Sequence, residues 1–183
     1  MAVFALGEDI PSIDPTAFVH PDATIIGSVV IGPGGSIWPS AVIRADTSVI
    51  QIGARTSIQD GSVIHTSAEF PTWIGDDCVV GHLVHIEGAI IEDHCLIGSG
   101  AIVLNGAKIG ERSLIGAGSL VTPSSTIPPG SLAMGSPARV TGRPVPEGVI
   151  DHSVESYRKR AIQFTTELRP LDYTPGQPLI DNQ

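Results

Sequence analysis

Aromatic residues are scarce in this chain, at 4% of 183 positions against 42% hydrophobic residues overall. A core built on Phe and Trp is thereby excluded; Val, Ile, Leu and Ala, punctuated by 21 glycines, suit many short strands instead. Cations are scarce too: 10 Lys and Arg face 19 Asp and Glu for a formal charge of −9, and the one basic run is Arg158, Lys159 and Arg160. That balance argues against a nucleic-acid partner. The two cysteines, Cys78 and Cys95, lack Cys-x-x-Cys spacing, which leaves a disulfide framework or thiolate cluster without support and reads as two buried thiols. Nowhere do about 18 apolar residues run together, and the N-terminal MAVFALGEDIPSID has no basic region before its short apolar stretch. A cytoplasmic protein with no membrane partner is expected, of one domain with a tail.

What is present is a period of six. From Ile74 an aliphatic residue returns at Val80 and Ile86, then after one step of five at Ile91, Ile97, Val103, Ile109, Ile115 and Val121. Neither helical nor simple strand periodicity has this spacing. Glycine often follows the aliphatic (Gly75, Gly81, Gly98, Gly110, Gly116), and a small residue stands four places on (Cys78, Val84, Ala101, Ala107, Ser119). Each hexad thus supplies one large and one small inward side chain and a tight corner. Three hexads close a triangular coil of about 18 residues, and stacked coils pair as parallel strands roughly 4.8 Å apart. The fold expected is an all-β solenoid, a left-handed parallel β-helix of hexapeptide repeats. A right-handed β-helix is the competing form, favoured by the general crossover rule but rarely so strict in its period.

Earlier coils read through Val19, Ile25, Ile31, Ile37 and Ile43, then Ile52, Ile58 and Ile64, with loops inserted at 47–51 and 66–73. The β-helix is expected over 11–122, a Pro/Gly-rich arm over 123–148, a helix over 149–170 and a tail over 171–183. The helix, from Val149 to about Leu168, presents Val149, Ile150, Val154, Tyr157, Ala161, Ile162 and Phe164 as an apolar face. Flat prism faces with open edges are commonly closed in trimers, so a homotrimer is expected.

Counting coils also stacks the outward positions. Ile43, Ile64 and Ile86 are 21 and 22 residues apart, one coil plus insertions of three and four, so Arg44, His65 and Glu87 fall in one outward column. The same offset of 22 sets His82 against Asp60 on a different face. In a trimer, His82 of one subunit can meet His65 and Glu87 of its neighbour, and two imidazoles with a carboxylate can hold a divalent metal with an open position. Against this stands the ordinary role of a surface histidine as a solvated or hydrogen-bonding residue. His20, His85, His94 and His152 are read that way, although His85 offers a donor if Glu87 does not ligate.

Several stretches resemble the gamma-class carbonic anhydrase family: IRAD at 43–46, IGARTSIQDGSVIH at 52–65, IGDDCVVGH at 74–82, IGSGAIVLNGAKIG at 97–110, IGAGSLV at 115–121 and GSPAR at 135–139. The resemblance covers roughly residues 11–140 in order and spacing. It implies a trimer with a zinc or iron site at each subunit interface, held by three His of which one comes from the adjacent subunit, and reversible hydration of carbon dioxide to bicarbonate by a metal-bound hydroxide. By motif, two of the His map to His65 and His82. The third falls on Glu87, and the Cys two places later in the family pattern falls on Ala89. The family's Arg-Asp pair, which supports the trimer interface, matches Arg44 and Asp46. Its Gln-Asp pair matches Gln59 and Asp60, the Gln hydrogen-bonding the hydroxide. One acidic proton-transfer position carries Thr47 here, for which Glu69 in the following loop is the substitute.

A carboxylate ligand donates negative charge, so Glu87 should make the bound water less acidic than a third imidazole would. Two His and one Glu remain a hydrolytic zinc set and also suit ferrous iron. Metal binding is therefore expected to persist while hydration weakens or is lost. Two alternatives share the fold: a hexapeptide-repeat acyltransferase with an interface His as general base, and a non-catalytic trimer that binds a small ligand or partner.

Overall fold

The computed structural model describes residues 2–171; Met1 and residues 172–183, nearly all of the expected tail, lie outside them. The described chain winds into a left-handed parallel β-helix of about seven turns followed by a C-terminal helix. Its core is a set of aliphatic ladders. Ile25, Ile43, Ile64, Ile86, Val103 and Val121 pair in register from coil to coil, and each is at most 1% exposed. Every rung removes one branched side chain from water, worth roughly 1.5–3 kcal/mol each, and the small inward residues Cys78, Val84, Ala101 and Ala107 are buried beside them.

One face is the ladder Phe18–Val19, Ser36–Ile37, Ser57–Ile58, Val79–Val80, Leu96–Ile97, Leu114–Ile115 and Ser131–Met134. The other two faces belong to one sheet, because the long strands Thr24–Ile31 and Val42–Ile52 run round a corner of the prism. The first half of Val42–Ile52 pairs with Val63–His65 and the second with Thr72–Ile74. Residues 47–51, expected as an inserted loop, therefore lie within a strand. The insertion takes the form of a bulge: pairing jumps from Gly27–Ala45 to Val29–Ile50, so extra residues of one strand swell outward at the corner. Gly27 makes that corner possible, with φ +81° and the Ala45 carbonyl packed where a Cβ would stand.

The solenoid is longer than the repeat suggested at both ends. Ala2–Phe4 and Ser12–Ile13 pair with Thr24–Ile31. Beyond Val121, Thr126–Ile127 pairs with Lys108–Ile109 and Ser131–Met134 with Leu114–Ile115. Ile127 and Ala133 continue the step of six inward and are buried, while Pro123, Pro129 and Gly130 of TPSSTIPPG occupy turns. Arg139–Pro144 then folds back antiparallel on Ser131–Met134.

Helix α1 (Val149–Glu167) lies on the first face. Ile150 and Val154 pack on Val79 and Leu96, and Tyr157, Ala161 and Phe164 join Phe18 and Trp38 in an aromatic cluster. Ile162, expected on the apolar face, is exposed instead, since it is turned away from the line of buried residues Ile150, Val154 and Ala161.

Candidate metal centre

The outward column derived by counting is formed as expected: Arg44 pairs with His65, and His65 with Glu87, in consecutive parallel ladders. The corner bulge after Ala45 aims Asp46 back at this column. Asp46 Oδ2 contacts the Arg44 guanidinium, and Asp46 Oδ1 lies 2.9 Å from His65 Nε2. Burial alone would raise the Asp46 carboxyl, but the His65 hydrogen bond and the Arg44 charge outweigh it and hold it below its ordinary value. An ionised carboxylate only accepts, so Nε2 carries the hydrogen, and in the neutral ring Nδ1 keeps its lone pair. Nδ1 faces Glu87 Oε1 at 3.8 Å. The other carboxylate oxygen, Oε2, is 3.4 Å from His85 Nε2. Gly88, at φ +60°, turns the chain away directly after Glu87.

His82 stands at a different corner, between Val79–Val80 and His85–Glu87. Its Nδ1 lies 2.9 Å from Asp60 Oδ2, the neighbour that the offset of 22 assigned. Its Nε2 is 3.2 Å from the Tyr157 hydroxyl. Sequence reading counted Tyr157 as helix packing only; nothing periodic connects position 157 to position 82, and the contact follows from how α1 docks. Burial raises the Tyr157 phenol above its ordinary value, with Asp60 adding to the shift and Arg160 opposing it.

Gln59 is buried beside Asp60 in the turn after Ser57–Ile58. Thr47 hydrogen-bonds Thr66 across the coils, 3.1 Å between hydroxyls. Glu69 is exposed in the loop between Val63–His65 and Thr72–Ile74, and no contact joins it to the His65–Glu87 group among the described residues.

The donors fit a divalent ion chemically. Two acceptors, His65 Nδ1 and Glu87 Oε1, face each other across a gap that bonds of about 2.0–2.2 Å to each can bridge. His65 and His82 each have a carboxylate at one ring nitrogen, the outer-shell partner typical of ligating imidazoles. Among the described residues no three His, Cys, Asp or Glu side chains of one chain converge into a complete site. The chain thus carries donors on two separate edges.

A hexapeptide solenoid bearing imidazole and carboxylate donors on its outer edges is the class of protein that fold and side chains define. The bacterial transferase hexapeptide (six repeats) family model matches residues 71–105 and 88–123. A carbonic anhydrase of Geobacillus kaustophilus is 48% identical over 130 residues, 71% of each chain. Gamma carbonic anhydrase 1, a mitochondrial protein of Arabidopsis thaliana, is 36% identical over 171 residues, 88% of this chain and 62% of the relative, so the chain spans less than two thirds of that plant protein. Among solved structures, a hexapeptide transferase family protein of Anaplasma phagocytophilum superimposes with a TM-score of 0.84 at 34% identity, over 89% of this chain and 98% of that one. The chain belongs to the gamma-class carbonic anhydrase family.

Proposed function

We propose that the protein is a homotrimeric, metal-dependent relative of the carbonic anhydrases that interconverts carbon dioxide and bicarbonate weakly, with His65 and Glu87 of one subunit and His82 of the next as the ligands. The observation that carries this reading is the facing pair of acceptors on His65 and Glu87, with Asp46 locking the far side of the imidazole. When bound, a zinc or ferrous ion supplies Lewis acidity that makes hydroxide available near neutral pH. Asp46 and Asp60 orient the two imidazoles, and Arg44 holds Asp46 ionised. Gln59 is assigned to orient the attacking oxygen, and Glu69 to pass the proton to solvent. Val63 and Ile102, apolar and about 40% exposed, flank His85 in the same ladder and support burial of this face against a second subunit. Two buried free thiols suit a reducing compartment, in line with a cytoplasmic location.

Glu87 brings a negative charge to the position where the family pattern has an imidazole, which opposes formation of hydroxide. Glu87→His should therefore raise carbon dioxide hydration, measured by stopped flow on metal-loaded protein, by about tenfold, equivalent to ~1.4 kcal/mol off the barrier. A folded, loaded variant with no gain would count against the charge argument.

The His82–Asp60 contact also suits a general base, and the matched transferase hexapeptide model keeps acyl transfer as a second reading. Binding of acetyl-coenzyme A by calorimetry separates the two: affinity there, without bound metal, favours the transferase.

A further inference from the structure

His82 differs from His65 in that both of its ring nitrogens lie at hydrogen-bond distance from partners within one chain. Nδ1 lies 2.9 Å from Asp60 Oδ2 and Nε2 lies 3.2 Å from Tyr157 Oη. The carboxylate accepts, so in the neutral ring Nδ1 holds the hydrogen and Nε2 is the lone-pair nitrogen into which the phenol donates. Tyr157 is held in place for this. Its ring stands edge-on to Trp38, 5.3 Å between centroids, the Arg160 guanidinium lies 5.8 Å from its centre, and Val154 and Ala161 of the same helix are buried to either side. A metal bonded to Nε2 at about 2.0–2.1 Å would take the lone pair that the hydroxyl now uses. One acceptor pair cannot serve both.

We propose that Tyr157 caps the ligand nitrogen of the metal site: Asp60 holds His82 as the Nδ1–H tautomer, and the Tyr157 hydroxyl occupies Nε2 until a divalent ion displaces it. This inference rests on the metal-binding reading above. It makes α1 a competitor for the ligand, so that loading the site and releasing the hydroxyl are one event. The aromatic packing of Tyr157 on Trp38 does not depend on the hydroxyl, and Phe preserves it.

The test compares metal-stripped wild type with Tyr157→Phe. Zinc is titrated against a chromophoric chelator, and the tyrosine ultraviolet difference spectrum is followed in the same titration, with far-ultraviolet circular dichroism to confirm that the variant is folded. Tyr157→Phe should bind zinc about fivefold tighter, the factor that corresponds to one neutral hydrogen bond no longer opposing it. Wild type should show a tyrosine signal that saturates with zinc and is missing from the variant. Zinc bound by the variant alone would be the extreme form of the same result. Equal or weaker binding by folded Tyr157→Phe overturns the cap and leaves the metal reading standing; no binding by either protein overturns both. Should the variant fail to fold, zinc binding to wild type without a tyrosine signal overturns the cap by itself.

Discussion

At the scale of single residues, Asp46 does most to turn a half-buried imidazole into a metal donor. It takes the Nε2 hydrogen of His65 and leaves Nδ1 toward Glu87. Removing such an outer-shell carboxylate typically costs 10–100-fold in metal affinity, and Asp46→Asn is expected to lose zinc by about that factor in chelator competition. The same carboxyl gives a pH signature. Its value is lowered in the folded chain, so its contribution to stability is present above its unfolded value of about 3.9 and fades as pH falls through the lower folded one. Urea midpoints of wild type and Asp46→Asn should therefore differ near neutral pH and converge in acid. Much of this site was legible from residue counting, because parallel register fixes which side chains stack: Arg44, His65 and Glu87 align, and His82 meets Asp60. The Asp46–His65 bond was not, since it depends on which way a bulge swings, and the Tyr157–His82 contact was not, since Tyr157 is brought by a helix with no register to the coils.

At the scale of elements, the inward ladder sets the spacing of everything outside it. Ile64 is fully buried directly before His65 and between Ile43 and Ile86. Ile64→Ala should cost about 2–5 kcal/mol in urea unfolding, because neighbouring rungs are locked by backbone pairing and cannot close the cavity. The strict hexads from Ile74 to Val121 were read correctly from sequence. The ends were not, because a segment dense in Pro and Gly reads as irregular although Ile127 and Ala133 keep the step of six. At 47–51 the misreading has another cause: an insertion into a coil bulged a long strand rather than interrupting it.

At the scale of the whole molecule, the donors of the proposed site lie on two edges and do not converge among the described residues of one chain, so the proposed site requires a second subunit. Sedimentation equilibrium should give about three times the 19.0 kDa chain mass. Ile102, 40% exposed and stacked on His85, is expected within the buried face. Ile102→Glu would place an unpaired charge there and should shift the protein toward monomer, with bound metal lost in step. A monomeric variant that keeps its metal would mean that the site is complete without a neighbour.

The central claim is that Glu87 replaces an imidazole without abolishing the metal centre, and the most direct test is to purify the protein without added metal or a histidine tag and measure metal per subunit by elemental mass spectrometry. The account predicts one zinc or iron per chain. No bound metal, even after reconstitution with zinc or with ferrous iron under anaerobic conditions, would contradict it.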